Sequence, residues 1–222
     1  KNQVNELLGK TGELGLFDRE AAAQIIEEDL GVKFSAKLES AMVSNNVDGM
    51  KLVEERSKLL NSIPFQSIVT TNFDSHLVGT SFSDTDIHEL LRPSKTGWAE
   101  GTDWEHGQPT RPVVKIHGDI ATTGNEKDDP LVFSRSGYRK LLFEVPNYQA
   151  VVRALLATRT ILFIGFSFSD AYLNLLRSET LSMFGGKDKD KHKHKPVAYA
   201  IVNDLSDAKS GYLLQQEAIE TI

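Results

Sequence analysis

The stretch "TILFIGFSFSDAYLNLL", residues 160–176, joins a continuous apolar run to a helical pattern through small and polar residues. The run ends on Gly165 and Ser167, and its nearly unbroken hydrophobicity is typical of a strand covered on both faces. Asp170 stands where its carboxylate can cap the helix that follows. The stretch therefore predicts one strand–turn–helix unit of a parallel α/β sheet.

Three similar apolar runs occur elsewhere in the chain. They are "FQSIV" (65–69), "PVVKI" (112–116) and "VAYAIV" (197–202). Helical patterns lie between the runs, and Asn147 is predicted to cap the pattern "YQAVVRALLA". This alternation predicts an α/β fold in which helices cover both faces of a parallel sheet through right-handed crossovers.

The first 62 residues have helical periodicity and no strand-like run. Asp18 is predicted to cap a helix over "REAAAQIIEEDL", and further helices are predicted to begin near Ser35 and Asp48. Their apolar stripes are typical of core packing. We expect residues 1–62 to form a helical segment packed on, or inserted in, an α/β domain formed by residues 63–222.

The composition is that of an ordinary globular protein and narrows the possible environments. Of the 222 residues, 40% are hydrophobic, and the formal net charge is −6. A negative charge argues against direct nucleic-acid binding, which depends on clustered lysine and arginine. No apolar run approaches the roughly 20 residues of a membrane span, and the absence of cysteine suits a reducing compartment. We therefore expect a cytoplasmic domain that binds neither membrane nor nucleic acid.

Two polar stretches interrupt the α/β pattern. Residues 93–111 are rich in glycine and proline and are predicted to form a surface loop. Residues 185–196, "GGKDKDKHKHKP", contain His192 and His194. Alternating charged residues without rigid support are typical of a solvated loop rather than of a metal centre. We predict no metal site in this chain.

Polar or small residues follow every predicted strand. The sets are Thr70, Thr71, Asn72 and Asp74; His117, Gly118 and Asp119; Gly165, Ser167 and Asp170; and Asn203 and Asp204. In an open parallel sheet, ligands bind beyond the carboxyl ends of the strands. The joint occurrence of these groups at one predicted edge favours a ligand site.

Each set also has a structural alternative. Asn72 and Asp74 could form an Asx-type turn. His117 could be a buried imidazole with satisfied hydrogen bonds, and the "GFSFSD" segment could be a turn with a helix cap at Asp170. The sequence alone leaves these alternatives open.

Four motifs together resemble a known family. They are "IVTTNFD" (68–74), "VVKIHGDI" (113–120), "ILFIGFSFSDAYLNLL" (161–176) and "VAYAIVND" (197–204). In this order they resemble the sirtuin-like domains found in bacterial defence proteins, and the likeness covers about residues 63–204. Each motif is weak alone, but their order and spacing make the set specific.

The resemblance implies a Rossmann-like fold with an NAD site. On that basis, Asn72 holds the nicotinamide ribose or positions a water beside it, and His117 is the general base. Thr70, Thr71 and Asp74 shape the pocket around Asn72. The remaining expected contacts are Gly165 and Ser167 on the pyrophosphate and ribose path, Asn203 near the adenosine half, and Asp170 in binding or as a helix cap.

The chain departs from the family pattern in two ways. No segment matches the family's opening strand and Gly-Ala-Gly turn, so that segment either precedes Lys1 or the site is degenerate. The chain begins without methionine inside a helix-like pattern, and we expect it to be part of a longer protein. The four-cysteine zinc ribbon of the sirtuin deacylases is also missing from residues 119–133, so we expect no zinc.

The resemblance implies an NAD⁺ hydrolase that uses NAD as substrate and releases nicotinamide and ADP-ribose. The implied setting is bacterial anti-phage defence through NAD depletion, with a homo-oligomer and a sensor, ATPase or Argonaute-type partner. One alternative is a non-catalytic module that binds NAD or an ADP-ribose derivative. NAD-dependent deacylation is the least favoured alternative because the cysteines are missing.

Overall fold

The computed structural model describes residues 19–42, 47–63, 65–74, 76–77, 80–81, 102–103, 108–109, 112–120, 131–145, 147–168, 170–184, 197–203 and 206–222. The chain divides into two compact units, Lys1–Pro146 and Asn147–Ile222. Both units contain a parallel sheet accompanied by helices, so the predicted α/β class is confirmed.

The first unit begins with helices, as predicted. They are α1 (Arg19–Leu30), a single 3₁₀ turn (Gly31–Lys33), α2 (Phe34–Met42) and α3 (Val47–Ser62). Gly31 follows α1 with φ of 49°, a left-handed conformation that suits glycine and ends a helix. The predicted cap at Asp18 lies outside the described residues.

The sheet of the first unit is formed by β1 (Ile68–Thr70), β2 (Thr80–Ser81) and β5 (Val113–Lys115). The strands lie in the order β1–β5–β2, and all pairs are parallel. The register pairs Ile68 with Val113 and Thr70 with Lys115, so β1 and β5 end side by side. Two further strands, β3 (Thr102–Asp103) and β4 (Gln108–Pro109), form an antiparallel pair within the predicted surface loop.

Helix α4 (Arg135–Phe143) connects the helical segment with the rest of the first unit. The hydroxyl of Ser134 accepts a hydrogen bond from Gly137 N at 3.2 Å, which caps α4, and donates one to the carboxylate of Glu27 on α1. Ser136 N donates to Gln24 Oε1 at 2.8 Å. An apolar cluster of the same unit contains Ile26, Phe34, Leu131 and Phe133.

The second unit alternates helices and strands throughout. Its elements are α5 (Tyr148–Thr158), β6 (Ile161–Ile164), α6 (Ala171–Phe184), β7 (Ala198–Ile201), α7 (Asp207–Glu217) and β8 (Ile219–Thr221). The three strands are parallel in the order β6–β7–β8. Their core is formed by Ala198, Ala200, Leu213 and Ile219.

Burial of the strands is less uniform than predicted. All three residues of β5 are buried, as expected for a strand covered on both faces. Val69 in β1, Ile164 in β6 and Ile201 in β7 are instead 41%, 43% and 47% exposed. The prediction of continuous burial therefore holds for β5 and is wrong at these three positions.

The two helix caps predicted for the second unit have different outcomes. Asp170 Oδ1 accepts a hydrogen bond from Leu173 N at 2.8 Å, which confirms the predicted cap. Asn147 precedes α5 in a left-handed conformation with φ of 64°, and its side chain makes no capping hydrogen bond. An N-cap side chain reaches the helix from extended backbone, so the predicted cap at Asn147 is wrong.

In the described part of the chain, no helix has both the length and the apolarity needed to span a membrane.

Candidate functional site

The end of β1 and the loop that follows it carry four of the predicted site residues. Thr70 ends the strand, and its Oγ1 accepts a hydrogen bond from Asn72 N at 3.1 Å. Thr71 is half-buried and Asn72 is exposed. Asp74 Oδ1 accepts a hydrogen bond from His76 N at 2.9 Å. The Asx-type turn is therefore present at Asp74. Asn72 takes part in the hydrogen bonding of this loop through its main-chain N–H.

His117 occupies a packed position after β5. It is 4% exposed, and its ring meets that of Tyr138 on α4 edge to face, with 5.3 Å between centroids. The carbonyl of His117 accepts a hydrogen bond from Val132 N at 2.9 Å. Gly118, with φ of 88°, turns the chain directly afterwards. The burial that the structural alternative requires is thus observed, and the role of His117 as a general base stays a prediction.

The loops after β1 and β5 run side by side at the carboxyl edge of the sheet. Ile116 N donates to the carbonyl of Thr70 at 3.0 Å, and Ile120 N donates to the carbonyl of Phe73 at 2.9 Å. Asn72 lies between the two acceptors, and His117 lies between the two donors. The structure therefore brings the segments of Asn72 and His117 together, as the shared sheet edge predicts.

A buried lysine adds a side-chain connection between these two loops. Lys115 Nζ donates to the carbonyl of Asp74 at 2.6 Å and forms an ion pair with Asp119 Oδ2 at 2.9 Å. The side chains of Lys115 and Asp119 are 2% and 9% exposed. Sequence reasoning missed this role of Lys115. The available signal was a lysine inside the apolar run "PVVKI" with an aspartate four residues later.

In the second unit, the loop after β6 presents small groups to solvent. Gly165 and Ser167 are exposed, and Gly165 has φ of 63°. Phe168 is also left-handed, with φ of 54°, and its carbonyl accepts a hydrogen bond from Asn174 Nδ2 at 2.6 Å. Asp170 serves as the cap of α6.

Aromatic packing holds this second loop in place. The rings of Phe163, Phe166 and Phe168 contact one another with centroid separations of 5.0–5.4 Å. The guanidinium of Arg177 on α6 lies 5.0 Å from the centre of the Phe168 ring, within cation–π range. Sequence reasoning did not identify Phe168, Asn174 or Arg177 as supports of this loop.

Asn203 follows β7 and is exposed. Because Ile164 of β6 pairs with Ile201 of β7 in a parallel register, Gly165 and Asn203 follow neighbouring strand ends. The second unit therefore brings Gly165, Ser167 and Asn203 to one sheet edge. Asp204, which follows Asn203, lies outside the described residues.

Two buried ionisable groups in the second unit have shifted pKa values. Burial lowers the pKa of Arg177, and the nearby Glu217 and Tyr212 oppose this shift. Arg177 Nη2 lies 3.5 Å from Glu217 Oε2. Burial also raises the pKa of Tyr148, the first residue of α5, and the Asp170 carboxylate adds to that rise. Both effects follow because burial disfavours the charged form of a group.

The described residues contain no group of three or more histidine, aspartate or glutamate side chains that could hold a metal ion. His192 and His194 lie outside those residues, so the structure does not describe the stretch that contains them.

Comparison with known proteins adds a family and two relatives. Residues 66–222 match the model of the SIR2-like domain. A protein named NAD(+) hydrolase ThsA from Enterococcus faecium is 29% identical over 135 residues, which is 57% of this chain and 25% of that protein. A protein of the same name from Bacillus cereus (strain MSX-D12) is 24% identical over 140 residues, or 63% of this chain and 27% of that protein.

The chain thus spans about a quarter of the length of the relatives it matches. The family match extends from before β1 to the last residue of the chain and includes both sheets. The likeness to sirtuin-like domains that the motifs indicate is therefore confirmed. This chain belongs to the SIR2-like domain family.

Proposed function

We propose that this domain hydrolyses NAD⁺ at the bond between nicotinamide and ribose, with nicotinamide and ADP-ribose as products. The observation that carries the proposal is the side-by-side arrangement of the Asn72 and His117 loops at the carboxyl edge of one parallel sheet. Family membership and two relatives named as NAD(+) hydrolases support the same reaction.

The reaction suits a site with one amide and one imidazole. Nicotinamide carries a positive charge while bonded to ribose and leaves as a neutral molecule, so no acid has to protonate it. Ordinary glycosidases differ, because they need a carboxylic acid for the leaving oxygen and a second carboxylate. The C1′–N bond breaks, a water oxygen bonds to C1′, and the water proton passes to a base and then to solvent.

In this proposal, Asn72 orients the ribose hydroxyls or the attacking water. His117 accepts the proton, a contribution that is typically worth about 10²–10⁴-fold in rate. Asn72 is exposed and therefore accessible to substrate, whereas His117 is buried. Thr70, Thr71 and Asp74 shape the surroundings of Asn72. The assignments of Gly165, Ser167, Asp170 and Asn203 to the rest of NAD rest on the family resemblance.

A second candidate function is binding of NAD or an ADP-ribose derivative without turnover. The burial of His117 favours it, since an imidazole packed against Tyr138 also has a structural role. Calorimetric binding with NAD left intact, as measured by mass spectrometry, would support this function. Deacylation would instead make nicotinamide release depend on an acylated peptide, and it remains the least favoured reaction.

The resemblance also supports a biological setting, which we include in the proposal. The domain would act in the bacterial cytoplasm as a defence effector that depletes NAD, within a homo-oligomer and with a sensor, ATPase or Argonaute-type partner. Neither a membrane nor direct nucleic-acid binding by this domain forms part of the proposal.

The direct test is nicotinamide release from NAD by the full-length protein in its native assembly. We expect His117→Ala and Asn72→Ala each to lower the rate by about 10²-fold or more. His76→Gln is the matched control, because His76 lies in the same unit and the contacts described for it use only its main chain. Full activity in both site variants would contradict the proposed mechanism.

A further inference from the structure

We propose that Lys115 is a positioning residue that holds the Asn72 loop and the His117 loop in their relative placement. The consequence for catalysis rests on the proposed NAD hydrolysis, whereas the mechanical connection between the loops does not. Lys115 does not have to touch the substrate in this role. It acts through the two loops on either side of its ammonium group.

The ammonium connects three segments of the first unit. Its own strand, β5, supplies the side chain, and the carbonyl of Asp74 and the carboxylate of Asp119 supply the acceptors, at 2.6 and 2.9 Å. Asp74 lies two residues after Asn72, and Asp119 lies two residues after His117. A single buried group therefore contacts both loops close to the proposed catalytic side chains.

A gain in stability alone is a weak explanation for a lysine at this position. Lys115 is 2% exposed and follows the buried residues Val113 and Val114. Removing an ammonium from water is unfavourable, and well-packed apolar residues in place of a buried ion pair are often neutral or stabilising. An apolar side chain would complete this strand at a lower cost, but it could not donate to the Asp74 carbonyl.

Lysine also suits this geometry because its ammonium is a compact group with three donors. Two acceptors, one on each loop, contact this group, and the two loops are also joined by the main-chain hydrogen bond from Ile120 N to the Phe73 carbonyl. Phe73 packs edge to face on Phe133 at 5.9 Å. The Asn72 loop is thus held by both the ammonium and an aromatic contact.

The test compares Lys115→Met with the double variant Lys115→Met/Asp119→Asn in the full-length protein. The single variant leaves the buried Asp119 carboxylate without the ammonium and is expected to lose stability. The double variant removes both charges together and keeps similar side-chain volumes, so its melting temperature should recover. The matched control is Arg153→Met/Glu179→Gln, which removes an exposed ion pair of the second unit.

Two readouts separate positioning from stability. We expect kcat for nicotinamide release to stay about 10–100-fold low in the double variant while KM changes little, because misplacement of catalytic groups costs rate. We also expect faster amide hydrogen exchange at Ile120 and Asn72, with no change in β6–β8. The control variant should match the wild type in both readouts.

Recovery of kcat together with melting temperature in the double variant would overturn the proposal, as would unchanged exchange in the two loops. Absence of nicotinamide release by the wild type would contradict the proposed function instead. In that case the exchange measurement alone decides whether Lys115 holds the loops together.

Discussion

In the first unit, the loops after β1 and β5 are joined by main-chain hydrogen bonds and by the buried ammonium of Lys115. In the second unit, the loop after β6 depends on three phenylalanine rings, two left-handed residues and the guanidinium of Arg177. The first arrangement fixes two loops against each other. The second fixes one loop against the helix that follows it.

This difference matches the residues at the carboxyl edge of the sheet in each unit. The first unit presents a buried histidine and an exposed asparagine on two loops that are joined by main-chain hydrogen bonds. The second unit exposes Gly165 and Ser167 on a loop held by aromatic packing and by the Arg177 guanidinium. Hydrogen bonds and an ion pair therefore connect two loops in the first unit, whereas aromatic and cation–π contacts hold a single loop in the second.

The largest loss of unfolding free energy is expected from Arg177→Met in the second unit. The change leaves the buried Glu217 carboxylate without its ion-pair partner and removes the cation above Phe168. Breaking a buried pair in this way costs about 3–5 kcal/mol, to be measured by urea unfolding. The double variant Arg177→Met/Glu217→Gln should recover most of the loss. A single variant as stable as the wild type would show that packing alone holds this loop.

A smaller effect is expected from Gly165→Ala. No atom lies within 4 Å of an added Cβ, but φ is 63°, and a left-handed residue with a side chain costs about 1–2 kcal/mol. Gly211 on α7 also has open space around an added Cβ but lacks the positive φ. Gly211→Ala should therefore stabilise the protein by about 0.5–1 kcal/mol. Equal unfolding free energies for the two variants would contradict this explanation.

The helix cap at Asp170, after the loop that follows β6, should contribute less to the unfolding free energy. Asp170→Ala removes the hydrogen bond to Leu173 N and is expected to cost about 1 kcal/mol in unfolding free energy. Ser206 is the matched control, since it precedes α7 without a side-chain capping bond. Ser206→Ala should change stability by only a few tenths of a kcal/mol, roughly. A comparable loss in both variants would contradict a specific cap at Asp170.

The smallest change in unfolding free energy is expected from Tyr148 and appears only at alkaline pH. Burial raises the pKa of Tyr148 in the folded protein above its ordinary value of about 10. The unfolded chain therefore releases this proton first as the pH rises, and stability is lost above about pH 10. Tyr148→Phe should give a flatter dependence of unfolding free energy on pH in that range. Identical slopes for the variant and the wild type would rule out this contribution.

The elements that the sequence predicts well are those with local causes. The periodicity of "REAAAQIIEEDL" and the carboxylate at Asp170 depend only on nearby residues, and the structure contains both as expected. The four apolar runs also correspond to strands, although each strand is only three or four residues long. The Asn147 cap failed because a left-handed residue cannot be recognised from the residue type alone.

The missed elements depend on contacts outside the element itself. Helix α4 contains Gly137, and glycine is a weak helix former. Glycine is needed at this position because a Cβ would stand 2.6 Å from the carbonyl oxygen of Leu131. Helix α7 and strand β8 were also not predicted, and β8 gains its position by pairing with β7. The role of Lys115 depends on the register between β1 and β5, which no local pattern specifies.

The candidate site follows the same division. Asn72 and His117 could be named because polar residues after apolar runs are visible in the sequence. That their loops lie side by side could be predicted from the general rule that the carboxyl ends of parallel strands meet at one edge of the sheet. The side chains that support the loops come from helices elsewhere in the same unit: Tyr138 packs against His117 in the first unit, and Arg177 packs against Phe168 in the second.

The most direct test of the central claim is a double-mutant cycle on nicotinamide release. The four proteins are the wild type, Asn72→Ala, His117→Ala and the variant with both changes. Two groups that act in one step are strongly non-additive, so the double variant should be no slower than the slower single variant. Rate losses that multiply would contradict a shared site.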